Sequence, residues 1–453
     1  MEHTPTILAE LEDYLQRNDV TLAQFAEHSG VHQRTLNNWI LKHRPVAVHQ
    51  LDRITLAMGL PEGYFYERYI EQYIIESSPD WRRIEPVLFR CAEMDKLAAI
   101  QRIVGHIMDN LLYSPKLFDA AEQLFAQGRH AAALLLFEGV AEAEKYQHSE
   151  RLAICQYRIF TIQVGDDQER NLQAALQFQS FVKRLDDMDQ LEGMVDLANA
   201  FRALRRWDRV MEVAKNLKIL AEAQYSMAHS LKREQHKKPL RPLFFYVAFS
   251  NSLIGGAYYE QGNYALALQA VYESVDLEWV KETDSETLHW KNLFQEWGEA
   301  NVCLTKLMVG DREVLPVYAD LIARTKDELL PGLWNIMIAA NRYNIDVDDI
   351  LNQFEWEISN IQDQGGKQTN DQQNIDDQLV GILSELADYC LSRGQYEKGV
   401  RYLLDGMRKS TIINNERSIL RYMIIVERYQ KFVLAEAKTE YSNLESYARR
   451  LSY

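Results

Sequence analysis

The stretch Thr21-Leu22-Ala23-Gln24-Phe25-Ala26-Glu27-His28-Ser29-Gly30-Val31-His32-Gln33-Arg34-Thr35-Leu36-Asn37-Asn38-Trp39 divides around a glycine into two short amphipathic segments. Thr21 is a residue type that starts a helix, and Leu22, Phe25 and Ala26 follow at helical spacing. Gly30 adopts without penalty the positive φ of a sharp reversal, and Val31 fills the angle between the segments. His32 stands at the next helix start. Leu36, Trp39 and Ile40 then face inward at i, i+3 and i+4, which leaves Gln33, Arg34, Asn37 and Asn38 outward. Two helices and a tight turn in this order form a helix-turn-helix pattern. Upstream, Ile7 to Leu15 predicts a first helix ending near Asn18-Asp19. Downstream, Pro45 closes the connection, and a further helix with Leu51, Ile54 and Leu56 inside precedes Gly59-Leu60-Pro61.

The outward residues have the chemistry of base reading. Gln33 and Asn37 each present a donor beside an acceptor, which matches adenine, and Arg34 matches guanine N7 and O6. Lys42, His43 and Arg44 follow and suit phosphates, which set register without reading sequence. Net charge is −16 over 453 residues. Residues 1–60 hold five Lys/Arg and seven Asp/Glu, so about −14 belongs to the remainder. From His28 to Leu51 there is no acid at all, and that face alone is fitted for nucleic acid. The fold resembles the Cro/repressor type of helix-turn-helix, the xenobiotic-response-element family, over roughly residues 5–62. His32 replaces the usual cap serine and Ile40 replaces the glutamate that usually follows the tryptophan.

Gly and Pro are sparse and hydrophobic residues make up 47% of the chain, which predicts an all-α protein with ample core. No apolar run reaches the about 18 residues of a membrane span, and Met1-Glu2-His3-Thr4-Pro5-Thr6 lacks signal-peptide features. Cys91, Cys155, Cys303 and Cys390 are widely spaced and read as small buried hydrophobes of a reducing compartment. The expected location is cytoplasmic, with no membrane partner. Residues 62–80 read as a connector helix, rich in Tyr64, Phe65, Tyr69, Tyr73 and Ile74. It packs back on the repeat array or lies against a second subunit, and is the expected hinge. Ser77-Ser78-Pro79-Asp80 predicts a capped restart at Trp81.

From there on, helical hairpins recur. Leu124 to Ala133 around Gly128, Gly255 to Ala267 around Gly262, and Leu386 to Gly399 around Gly394 share a glycine turn, a following aromatic or His, and small residues. This is the tetratricopeptide pattern: Gly turns the chain, the ring wedges under the turn, and Ala permits close approach. Weaker copies fall at Gly165-Asp166, Arg206-Trp207, Gly310-Asp311 and Asn341-Arg342-Tyr343. The domain reading is a helix-turn-helix over 1–61, a connector over 62–80, a right-handed superhelix of degenerate repeats over 81–410, and capping helices over 411–453. Lys232 to Pro242 reads as a basic loop and Gln362 to Asp377 as a mobile insertion. Aligning the hairpins on their anchors puts Glu122, Asn199, Arg202, Ser252, Tyr259, Asn335 and Asp388 on the concave wall, with Asn251 and Asn301 nearby. Carboxamides there suit an extended peptide backbone, and Arg202 suits a terminal carboxylate.

The combination resembles the RRNPP family of peptide-pheromone receptors. That resemblance implies a cytoplasmic quorum-sensing regulator, a homodimer that binds a short signalling peptide in its groove and alters its grip on operator DNA. Dimerisation in such proteins commonly involves the C-terminal repeats and sometimes the connector. The alternative is a repeat protein that sequesters or modulates a response regulator or other protein partner. No Gly-rich phosphate loop, HExxH, GxSxG or metal-spaced Cys/His set occurs, so no enzyme, cofactor or metal is expected.

Overall fold

The computed structural model describes residues 6–42, 44–165, 167–230, 237–324, 326–357, 370–412 and 416–432. Every regular element among the described residues is helical. The chain separates into two compact units, Met1–Arg205 and Arg206–Tyr453.

The first unit opens with α1 (Ile7–Arg17), α2 (Leu22–Ser29), α3 (Gln33–Lys42) and α4 (Val48–Ala57). Thr21 caps α2 reciprocally: its hydroxyl accepts from Gln24 N at 3.3 Å, and the Gln24 side chain accepts from Thr21 N at 2.9 Å. Gly30 follows with φ 65°. Leu11, Phe25, Val31, Leu36, Trp39, Leu51 and Ile54 form the core beneath these helices. Leu56 departs from expectation, being 79% exposed. Leu51, Ile54 and Thr55 set the inner face of α4 at i, i+3 and i+4, and the next position turns away from it.

The connector is α5 (Tyr66–Ile70) running into a π-helical turn, Glu71–Ile75. It buries Phe65, Tyr66, Tyr69, Ile70 and Ile74 in one continuous core that reaches from Ile7 to Ile159. Tyr69 Oη donates to the Val46 carbonyl at 2.9 Å, and Tyr66 Oη to Asp52 at 2.7 Å. The expected hinge is therefore built into the packing on both sides, because its aromatic residues bury apolar surface that a free connector would leave in water. Asp80 caps α6 (Trp81–Glu93), which leads to α7 (Leu97–Ile107). A hairpin of α8 (Ser114–Ala126) and α9 (His130–Ala143) turns at Gly128, φ 75°. The unit ends with α10 (Glu150–Gln163), α11 (Gln168–Gln179) and α12 (Asp187–Ala203).

The second unit continues as helices packed in tandem: α13 (Trp207–Ser230), α14 (Leu243–Glu260), α15 (Tyr264–Val275), α16 (Ser285–Met308), α17 (Leu315–Arg324), α18 (Lys326–Tyr343), α19 (Asp348–Gln353), α20 (Asn370–Ser392), α21 (Tyr396–Ile412) and α22 (Glu416–Arg428). Gly262 and Gly394 make the reversals at φ 77° and 76°. Between α14 and α15 the backbones meet closely, since a Cβ on Gly255 would lie 3.4 Å from the Ala267 carbonyl. At the weaker anchors the positive φ belongs to Arg205, Gly310 and Asn344. Residues 362–369 of the expected insertion lie outside the described residues. Residues 370–377 are the opening turns of α20, in place of the irregular segment that their polar composition predicts. Residues 232–236 of the basic loop and 433–453 of the expected cap also lie outside. All four cysteines are buried and unbridged.

Candidate nucleic-acid face and candidate ligand contacts

Gln33, Arg34 and Asn37 are exposed on α3, while Leu36 and Trp39 anchor its opposite side in the core. Asn38 is half-buried, and its carbonyl accepts from Arg44 N at 3.5 Å, which turns the chain back after the helix. Arg44 is exposed. The side chain of Lys42 and all of His43 lie outside the described residues. His32 caps the start of α3 through its ring: Nδ1 accepts from the Arg34 amide at 3.1 Å. Arg53 of α4 donates to the Gly30 carbonyl at 3.1 Å and fixes the turn. Sequence reading missed it, although it is the only Lys or Arg in α4.

A second set of contacts passed over in the sequence holds α4 to the connector and α6. The Arg90 guanidinium reaches Asp52 at 3.1 Å and Glu62 at 2.5 Å, and also pairs with Glu93. Arg68 pairs with Glu10, and Arg102 with Glu71. No spacing rule links residues so far apart.

In the first unit, both Glu122 oxygens are occupied by Arg158, at 2.8 and 3.0 Å, and that guanidinium lies 4.7 Å over the Phe125 ring. Asn199 and Arg202 sit one turn apart on α12. Asn199 Oδ1 is buried with no hydrogen-bond partner among the described residues. Arg202 keeps solvent contact, yet the protein around it withholds enough water to lower its pKa.

In the second unit, Asn251, Ser252 and Tyr259 lie on α14. Asn251 is only 5% exposed and donates to the Glu273 carbonyl at 3.3 Å, so it serves helix packing instead of facing outward. Ser252 bonds back to the Ala248 carbonyl at 3.2 Å. Tyr259 packs on Tyr264 with ring centroids 5.5 Å apart, and burial raises its pKa. Asn301 on α16 is exposed, and Asn335 on α18 reaches the Tyr318 hydroxyl at 3.5 Å.

Asp388 on α20 leaves the expected wall altogether. It is 4% exposed and accepts from Arg421 at 2.9 Å, Arg428 at 3.1 Å and Tyr429 at 3.1 Å. A carboxylate buried with such partners is an internal clamp. An open depression of about 660 Å³ runs along α15 beside Leu268, Gln269, Tyr272 and Asp276, and holds none of the predicted contacts.

Among the described residues no group of three His, Cys, Asp or Glu is placed to hold a metal, and no helix is long and apolar enough to cross a membrane. The sequence matches no protein-family model and no curated protein. Among solved structures it is similar to a circular tandem repeat protein with novel repeat topology and enhanced subunit contact surfaces. The two are 12% identical over 98% of each chain, with a TM-score of 0.21.

Proposed function

We propose that this chain is a peptide-gated transcriptional regulator of the RRNPP type, in which α2, Gly30 and α3 form a helix-turn-helix that reads operator DNA. One observation carries the reading. Gln33, Arg34 and Asn37 stand exposed on a single helix whose other side is locked by Leu36 and Trp39, within a stretch free of acidic residues. Exposed polar side chains on a rigid helix have the geometry that groove recognition uses.

The helices beyond residue 80 act in this reading as the tetratricopeptide-like receptor for a short signalling peptide. Arg202, exposed one turn from Asn199, can take a carboxylate. A homodimer supplies two readers at the separation of two half-sites. The peptide shifts DNA affinity only by its different affinity for the DNA-competent and DNA-free forms.

The test is a gel shift of the purified protein on DNA flanking its own gene. It is run with and without synthetic peptides taken from the C-termini of short exported reading frames nearby. A shift that a peptide strengthens or dissolves supports the whole reading. A shift indifferent to every peptide removes the receptor half, and no shift at low salt removes the DNA half.

A further inference from the structure

His229, in the last turn of α13, lies between two oxygens that can only accept. Its Nδ1 is 2.9 Å from the Tyr225 carbonyl, and its Nε2 is 3.3 Å from a Glu282 carboxylate oxygen. Both contacts become hydrogen bonds only when both ring nitrogens carry protons; a neutral imidazole leaves one lone pair facing an oxygen. The end of a helix, where carbonyls point outward, also favours a cation.

The surroundings tie this ring to the connection between α15 and α16. The other Glu282 oxygen accepts from Tyr225 Oη at 3.0 Å, and Tyr225 Oη accepts in turn from the Lys281 amide at 3.1 Å. Trp279 packs edge-on against the Tyr225 ring at 4.8 Å and donates to the Asp276 carbonyl at 2.8 Å. His229 and Glu282 side chains are 24% and 34% exposed, so protons reach them from solvent.

The other charged groups of these elements are Asp208, Arg209, Glu212, Lys215, Lys218 and Glu222 on α13, Glu273 on α15, Asp276, Glu278, Lys281 and Asp284 in the connection, and Glu286, Lys291, Glu296, Glu299 and Lys306 on α16, which also carries His289. Lys218 pairs with Glu273 at 3.2 Å, and Lys291 reaches the Val280 carbonyl at 3.5 Å. Of the side-chain types present, histidine is the one that changes charge between about pH 5 and about pH 8.

We propose that Tyr225, His229 and Glu282 form a proton-operated clasp that fastens the end of α13 to residues 276–284 and opens as the pH rises. The imidazolium makes both hydrogen bonds and the Glu282 ion pair, whereas the neutral ring gives up one bond and the charge. The clasp therefore makes the tightness of this part of the second unit depend on pH, independently of any DNA or peptide.

The test is amide hydrogen exchange of peptides spanning 276–284 in the full-length protein, at about pH 5.5 and about pH 8, corrected for intrinsic exchange chemistry. The expected result is about three-fold stronger protection at the lower pH. His229→Gln should abolish that difference, and Glu282→Gln should reduce it sharply. Tyr225→Phe should lower protection at both pH values while keeping the difference. A pH-independent wild type, or a difference that survives in His229→Gln, overturns the proposal.

Discussion

Arg34 and Asp388 are both charged residues on helices, and their surroundings give them opposite work. Arg34 is exposed, so its removal should leave the fold intact. If it reads a guanine, Arg34→Ala loses about 1–3 kcal/mol of operator affinity, seen as about a five-fold or greater weakening in a DNA titration at unchanged melting temperature. Operator binding that survives unaltered would remove α3 as the reading face. Asp388 neutralises Arg421 and Arg428 from a buried position, and the Arg421 Nε already lacks a partner. Asp388→Ala leaves Arg421 with Glu385, 3.1 Å away, as its remaining counter-ion, and takes the ion-pair partner from Arg428, which is half exposed. The expected destabilisation is about 2 kcal/mol, below the roughly 3–5 kcal/mol of a broken fully buried pair. Urea unfolding of both proteins measures it.

At the scale of elements, two glycines answer to different constraints. A Cβ on Gly30 would meet nothing within 4 Å, so only its φ of 65° opposes substitution. Gly30→Ala should cost about 1–2 kcal/mol, and it strains the turn that sets α3, so operator affinity should fall with stability. Gly406 on α21 is an ordinary helical residue whose absent side chain makes room for the buried Tyr422 of α22. Tyr422 is also held by its hydroxyl on the Val380 carbonyl at 2.7 Å. Gly406→Ala should push α22 away and lower stability by about 1–3 kcal/mol. Adding Tyr422→Phe should recover little of that loss, because the ring carbons Cζ and Cε1 would themselves lie no more than 2.8 Å from the new Cβ; thermal unfolding of the single and double variants checks this.

For the whole molecule, charge and burial set the response to solvent. In the proposed reading, a net charge of −16 confines any DNA contact to a local basic face, so affinity should fall steeply with salt. Arg44→Ala should flatten a log–log salt plot by about 0.9, the slope of one phosphate contact, and an unchanged slope would show that Arg44 touches no phosphate. Burial raises the Tyr69 hydroxyl from 10.0 to about 12, the Cys91 thiol from 9.0 to about 12 and the Cys390 thiol to about 11. These groups are neutral when protonated, so the unfolded chain loses their protons first. Their contribution to stability is complete below pH 9 and is lost as pH rises towards 12. The melting temperature should therefore be insensitive to these groups near neutrality and decline above about pH 9. A flat profile to pH 11 would contradict it.

Local patterns already carried the helical architecture and the face of α3. Thr21, Gly30 and the spacing of Leu36 and Trp39 act through capping, φ and periodicity, which neighbouring residues specify on their own. The reversals at Gly128, Gly262 and Gly394 belong to the same class. What depended on long-range packing escaped that reading. Leu56 turned outward, the connector packed on the first four helices as well as on those after it, and residues 370–377 joined a helix despite their polar composition. Asp388 became internal through Arg421 and Arg428, and Glu122 was taken by Arg158, partners separated by more than thirty residues. Periodicity marks a side chain as leaving the helix on a given side. Only the folded chain decides whether water, a ligand or a distant arginine meets it there, because that depends on which helices pack against the same face.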